Sequence, residues 1–404
     1  MKQTIDITRL PPLPGLDDVF FAPGAAFSPD NNILGLAVMG GAPSLRLYRR
    51  TDEGFIPLEF NEAVEPPPTM AESIAFSPDG TLMLQGSNAG LFVYERRPGD
   101  IFNPVTRPSL PAQAVPGIAF APETNFAAII MRGFMPPVKM FTQSGPALAE
   151  STPIDWPLAE GLSVTQVAFS PGGRILAAAH ESREGAPYFS LYRHSESLDS
   201  WERLPDLPDT VVQMGMCFGA AFSEDIFVAA VLTSWVTREM KVLVYRYDEN
   251  TLSFTQLADL PADSGVTMYG LKGIAFSPDG NILAVAHNCG TGLALYQRTG
   301  LETFHRLPNP EPLTEIMDEP GVYEPGQLIF SHDGSLLVVT HSIAPSYVTM
   351  YEIDYGDDGG DGNSNGSDND NGNGNGGNTI PARPFSIRKL IIFEPDGTIR
   401  EVIS

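Results

Sequence analysis

Cysteine is almost missing from this chain of 404 residues, which has two, Cys217 and Cys289, far apart in the sequence. Two isolated thiols make neither a disulfide framework nor a zinc site, and their apolar surroundings predict buried small residues. Basic residues are scarce as well: 24 Lys and Arg against 49 Asp and Glu give a net charge of −25. Without the six Asp between Asp354 and Thr379 the charge is still −19. Such a surface repels phosphate backbones, so no nucleic acid is expected as a partner, and the charge reads mainly as solubility. Long apolar runs are absent, so no membrane insertion is expected. Met1 to Asp6 has no signal-peptide character, which fits a cytoplasmic protein or one assembled in a cytoplasm and later released. Catalytic motifs are missing too: there is no G-x-S-x-G, phosphate loop or H-E-x-x-H. The expectation is no catalytic residue, no metal and no cofactor.

What the chain does have is Gly (39), Pro (37) and a repeat. Ile274-Ala275-Phe276-Ser277-Pro278-Asp279-Gly280 is a short apolar strand running into a tight turn. Pro pre-sets φ, Asp bonds the backbone ahead, and Gly accepts the left-handed conformation from which the next strand leaves. The same Phe recurs as Phe27, Phe76, Phe120, Phe169, Phe222, Phe276 and Phe330, at spacings of 49, 44, 49, 53, 54 and 54 residues. After each turn comes a second, apolar strand such as Ile282 to Ala286. A third strand ends on an aromatic at Tyr48, Tyr94, Phe141, Tyr192, Tyr245, Tyr296 or Tyr351, and a shorter polar fourth strand resembles Phe304 to Leu307. Four antiparallel strands repeated seven times describe an all-β, seven-bladed β-propeller. The residue before the Phe is Ala in six copies and Ile329 in the seventh. A small side chain there suits the close approach of neighbouring sheets along their first strands, with Phe pointing to the opposite face.

The seventh repeat lacks a fourth strand, while Thr4 to Pro14 forms an orphan of the fourth-strand kind. Closure of the ring by this N-terminal strand, through Ile5, Ile7 and Leu10, leaves no edge unpaired. The propeller then spans 1–355. A linker of Gly, Asn, Asp and Ser follows at 356–379, with a root-mean-square span on the order of 27 Å. Residues 380–404 read as a tethered C-terminal β-hairpin, too small to fold alone. Its apolar residues Phe385, Ile387, Leu390, Ile392 and Phe393 are the expected contacts with a partner, and its charge is +1 on an otherwise acidic chain. An eighth blade built from this hairpin is disfavoured, because it has no third or fourth strand.

Other candidates read as structural. His180, His287 and His341 close the second strand in three repeats, too far apart for a metal ring, and are expected to bond loop backbone at sheet corners. Asp361 to Gly366 matches the first half of a calcium loop, but Gly372 stands where the bidentate Glu belongs, so a linker is expected. Arg49, Arg50, Arg96, Arg97, Arg193, Arg246 and Arg298 follow the third strands. They read as solvated blade ends, with an anion-binding or partner-binding ring as the sharper possibility.

The unit A-F-S-P-D-G, L-A-V-A-H, L-x-L-Y-x-R, F-x-x-L-P resembles WD40-like and lactonase-like propellers, although Tyr replaces the Trp-Asp ending and the Gly-His pair is missing. It is more similar to the propeller repeats of tailed-bacteriophage virion proteins. That resemblance covers Met1 to about Tyr355 and implies a structural or attachment role without catalysis. The partners it implies are other virion proteins, with a host surface receptor or glycan as a further one, and the implied location is the virion. The alternatives are a cytoplasmic protein, a lactonase-like hydrolase or a glycan-binding propeller. A hydrolase needs polar or metal-binding groups converging at the axis, where the first strands carry mostly Gly, Ala, Ser and Gln.

Overall fold

A computed structural model describes residues 5–58, 70–106, 108–156, 163–183, 186–195, 200–208, 210, 214–233, 240–261, 273–287, 292–310, 325–342, 347–356, 389–393 and 399–403. These residues form strands and turns, with no helix among them, and so no helix long and apolar enough to cross a membrane. β1 (Ile5–Arg9) precedes the first repeat. The first sheet is β2 (Phe21–Phe27), β3 (Ile33–Met39), β4 (Leu45–Thr51) and β5 (Gly54–Leu58). The second is β6 (Ala71–Phe76), β7 (Leu82–Ser87), β8 (Gly90–Arg97) and β9 (Ile101–Pro104). The third is β10 (Gly117–Phe120), β11 (Phe126–Ile130), β12 (Val138–Ser144) and β13 (Ala147–Glu150). The fourth comprises β14 (Val164–Phe169), β15 (Ile175–Arg183), β16 (Phe189–Ser195) and β17 (Ser200–Arg203). The fifth comprises β18 (Met214–Phe222), β19 (Ile226–Leu232), β20 (Met240–Asp248) and β21 (Ser253–Gln256). β22 (Gly273–Phe276), β23 (Ile282–Ala286), β24 (Leu293–Arg298) and β25 (Phe304–Arg306) make the sixth. In the seventh, β26 (Pro325–Phe330), β27 (Leu336–His341) and β28 (Val348–Tyr355) are joined by β1, which runs antiparallel to β28 from Ile5 opposite Tyr355 to Arg9 opposite Tyr351. β29 (Lys389–Phe393) and β30 (Ile399–Ile403) pair with each other.

The first strands of successive sheets are neighbours in turn: β2 with β6, β6 with β10, β10 with β14, β14 with β18, β18 with β22, β22 with β26, and β26 with β2. Apolar clusters fill the spaces between neighbouring sheets, and the alternation of side chains along the first strands sorts them. Ala26 packs into the cluster shared with the second sheet, and Phe27 into the one shared with the seventh. Ala275 and Phe276 divide in the same way between the seventh and fifth sheets. Gly24 permits this approach, because a Cβ there would meet the Ser73 Cα at 3.2 Å. The aromatics that end the third strands are all fully buried, from Tyr48 to Tyr351. Ile5 and Ile7 pack against the cluster between the sixth and seventh sheets, and Leu10 against the one between the seventh and first. The Leu10 amide also donates to the Met350 carbonyl at 2.8 Å.

One junction departs from the pattern. β15 runs on beyond its own sheet, and Glu181 to Arg183 pair with Met214 to Met216 of β18, which fuses the fourth and fifth sheets along one strand. The chain divides into two compact units, Met1–Asp357 and Asp358–Ser404.

Candidate functional site

The repeated turn is built by its serine and aspartate. In Ser77-Pro78-Asp79-Gly80 the Ser77 hydroxyl donates to Asp79 Oδ1 at 2.6 Å and accepts the Leu82 amide at 2.8 Å. Gly80 closes the turn at φ 70°, and Gly280 and Gly334 do the same at 69° and 72°. The same clip recurs at Ser28 with Asp30, Ser277 with Asp279 and Ser331 with Asp333. The aspartates then reach the next sheet. Arg96 donates to Asp30 at 2.9 Å, Gln143 to Asp79 at 3.1 Å, and Arg50 to Asp333 at 2.9 Å. Arg298 grips Asp225 with both Nη groups at 2.6 and 2.7 Å. In the fourth sheet the turn has Gly172 in place of Asp, and Glu249 of the fifth sheet supplies the missing carboxylate to the Ser170 hydroxyl.

These contacts set the ionisation of the turns. Burial by itself would raise the Asp30 carboxyl, but Arg96, the Ser28 hydroxyl and the Asn32 amide outweigh it and hold the group far below the usual carboxylate range. At Asp333 burial is likewise outweighed, by the Ser331 and Ser335 hydroxyls, the Ser335 amide and Arg50, and the carboxyl falls to about 2. The remaining arginines after the third strands are also matched: Arg49 with Asp100, Arg97 with Glu95, Arg193 with Glu202 and Arg246 with Glu302. Arg49, Arg97, Arg193 and Arg246 stay largely solvated, as the sequence reading expects of blade ends, whereas Arg96 and Arg298 are more buried and clasp neighbouring sheets.

The histidines lie in separate sheets and are buried. His180 Nδ1 lies 2.8 Å from its neighbour's carbonyl, that of Glu181, as a corner histidine should. Its Nε2 lies 3.1 Å from the Ser190 hydroxyl, and His341 Nε2 lies 2.9 Å from the Thr349 hydroxyl. Partners on the third strand were not anticipated from the sequence. Burial pushes His180 down to about 4, against the pull of the Glu181 carbonyl and with the help of Arg203. Among the described residues no group of three or more His, Cys, Asp or Glu is placed to hold a metal ion. Cys217 is buried, which pushes its thiol up to about 12, and Cys289 lies outside the described residues. So do the calcium-like tract at 361–372 and two of the expected docking residues, Phe385 and Ile387. The other three lie on β29, where Leu390 pairs with Val402, Ile392 with Arg400 and Phe393 with Ile399.

At the axis the first strands enclose a cavity of about 150 Å³, lined from all seven sheets. The strands are bulged where they reach it. In β6, β14 and β18 one extra residue interrupts the ladder, at Glu72, Thr165 and Phe218, each four places before the repeat Phe. A bulge re-aims its side chain, and all three line the cavity. Glu72 is 8% exposed and accepts Arg132 Nη1 at 3.3 Å and Nη2 at 2.9 Å. The Thr165 hydroxyl donates to the Cys217 carbonyl at 2.6 Å. Gln166 Oε1 accepts the Ala220 amide at 2.8 Å, and Gln327 Oε1 accepts the Ala25 amide at 2.9 Å, each bridging to the next sheet. The sequence reading of the axis as Gly, Ala, Ser and Gln missed Glu72, Thr165 and Phe218. The available signal was the mixed chemistry four places before the repeat Phe, where the sequence has Pro23, Glu72, Pro116, Thr165, Phe218, Lys272 and Gly326.

No family model and no curated protein sequence matches the chain. Solved structures do. Hydrazine synthase of Kuenenia stuttgartiensis superposes with a TM-score of 0.57 at 12% identity, covering 84% of this chain and 97% of that one. The β-propeller domain of Cps50 (Swd1) from Myceliophteria thermophila gives 0.56 at 12%, with 86% and 99% covered. U3-55K gives 0.55 at 13%, with 86% and 98% covered. At such identities the likeness speaks for architecture alone, and with the antiparallel four-stranded sheets it identifies this chain as a β-propeller.

Proposed function

We propose that the chain is a non-enzymatic, seven-bladed propeller closed by its N-terminal strand, displayed on a bacteriophage virion and anchored there by residues 380–404. The observation that carries the anchoring is the division of the chain. Met1–Asp357 is one compact unit, and the second, Asp358–Ser404, contains the hairpin of β29 and β30. Two strands alone are marginal in water, so such a hairpin gains stability by packing on, or adding strands to, another protein, with the tether absorbing the mismatch in position. Phe385, Ile387, Leu390, Ile392 and Phe393 would be its contacts. The pairing of β1 with β28 and the seat of Ile5, Ile7 and Leu10 between sheets support the closure. The likeness to propeller domains supports a role in protein interaction. Fold alone does not decide function, and one of the neighbours is a synthase by name. The virion itself rests on the resemblance of the repeats. Mass spectrometry of purified particles from a host producing this chain tests it: the protein should copurify with the particle at fixed stoichiometry, and its recovery only in the soluble cytoplasmic fraction would refute the virion assignment.

A further inference from the structure

The outer edges of the sheets are not alike. Every sheet ends in its fourth strand, and a bare strand edge is a template for another strand unless it is guarded. Pro57 guards β5 and Pro104 guards β9. Charged residues guard β17 (Glu202 and Arg203), β25 (Arg306) and β1 (Asp6 and Arg9). β21 has neither, but Asp248, Glu249 and Asp259 flank it. β13 is different. It reads Ala147-Leu148-Ala149-Glu150, with both alanines exposed and Glu150 held by Lys139. The chain leading to it is also poor in acid. From Ile101 to Ala149 there is one acid, Glu123, against three bases, Arg107, Arg132 and Lys139, which leaves 48 of the 49 acids and 21 of the 24 bases to the rest of the chain. Glu123 lies in the turn between β10 and β11, away from the outer edge of the sheet.

The ladder fixes which groups β13 turns outward. The Ser151 amide donates to the Met140 carbonyl, and the register then pairs Phe141 with Glu150, Thr142 with Ala149 and Gln143 with Leu148. Hydrogen-bonded and non-hydrogen-bonded pairs alternate along an antiparallel ladder. Ala149 therefore spends its backbone groups on β12, while Leu148 and Glu150 point theirs away from the sheet. A second β13, antiparallel to the first about a two-fold axis, satisfies both residues: Leu148 of each copy meets Glu150 of the other. Ala149 then faces Ala149 across the axis in the closer, non-hydrogen-bonded position, with Cα atoms about 4.5 Å apart, where a small side chain fits. A two-fold contact uses one patch twice and has to complement itself, and this edge does. Charge favours the same place. Two chains of net charge −25 repel each other, least where acid is scarce. We propose that the propeller pairs with a second copy of itself through β13, so that the third sheets of the two copies become one continuous sheet. A four-residue edge buries less than the roughly 1,200 Å² of a stable interface. The pairing is therefore weak in free solution and gains from copies held side by side, where effective concentrations are on the order of millimolar. It does not involve residues 380–404, so it and the proposed anchoring can fail separately.

The experiment is sedimentation equilibrium of the full chain at concentrations up to about a millimolar, at low and at high NaCl. A monomer–dimer equilibrium is expected, tighter at high salt because the repulsion between copies is screened. Ala149→Lys places two like charges across the two-fold axis and should weaken the dimer about tenfold or more. Thr255→Lys adds the same charge at an exposed position of β21 and should leave it unchanged. Both variants keep the C-terminal hairpin, and thermal melting checks that both fold. Mild oxidation of A149C should link two copies by a disulfide, since about 4.5 Å between Cα atoms is within disulfide reach, and T255C should link no faster than chance collision allows. A monomer throughout, association that A149K leaves unchanged, or A149C linking no faster than T255C would overturn the proposal.

Discussion

At the scale of single residues, the turns are where local and long-range structure meet. The Ser-Pro-Asp-Gly signature is legible in the sequence because Pro, Asp and Gly each act on the backbone within four residues. What it does not reveal is that the aspartate also holds the next sheet, since Arg50 and Asp333 are 283 residues apart. The exchange of Gly172 for Asp, with Glu249 filling the gap, is equally invisible before the fold brings them together. Arg298 and Asp225 are 14% and 32% exposed and join two sheets, whereas Arg193 and Glu202 are 45% and 34% exposed within one sheet. R298A should therefore cost about 1–2 kcal/mol in urea unfolding, and R193A no more than about 0.5 kcal/mol. Equal effects would show that the clasp between sheets adds nothing. Acid should act in two stages. His180 is neutral in the fold, with its pKa lowered to about 4, while in the unfolded chain it titrates near 6.5. The unfolded state thus binds more protons as pH falls through that window, and the stability His180 allows is present above 6.5 and lost toward 4. The loss is on the order of 2–3 kcal/mol, read as a falling melting temperature that H180N flattens. Asp30 and Asp333 have lowered carboxyls, so their contribution persists down to about pH 3.8 and is lost only below it. A melting temperature that is constant from pH 7 to 4 would contradict the assignment to His180.

At the scale of elements, the strands were readable because the repeat presents the same alternation at each copy, and a period of two fixes which residues face which neighbour. β1 is legible as a fourth strand for a different reason: Arg9-Leu10-Pro11 matches Arg306-Leu307-Pro308 at the end of β25. The fusion of β15 with β18 has no such sign, because extending a strand by three residues leaves its polar pattern unchanged. The axial bulges are hidden for a related reason, since one extra residue in a ladder shows only when its partner strand is in place. A chain lacking residues 1–12 loses β1, the apolar contacts of Ile5, Ile7 and Leu10, and the cover over the β28 edge. It should melt at a clearly lower temperature and associate through the bared strand. Size-exclusion chromatography with thermal melting checks this, and a monomer of unaltered melting temperature would count against closure by the N-terminal strand.

At the scale of the whole molecule, the two units carry different tasks in the proposed function. The propeller is stabilised by apolar clusters between sheets and by the clasps of its turns, and it needs no partner for either. The hairpin of β29 and β30 has too little to bury by itself. This division was legible because the Gly, Asn and Asp tract between them cannot form a core; the partner was not, because an apolar hairpin does not name what covers it. The most direct measurement is incorporation of a chain ending at Tyr355 into purified particles, beside the full-length chain produced at the same level. The truncated chain should fold, stay soluble, melt like the full-length protein, and be absent from the particles. Incorporation equal to that of the full-length chain would contradict anchoring through residues 380–404.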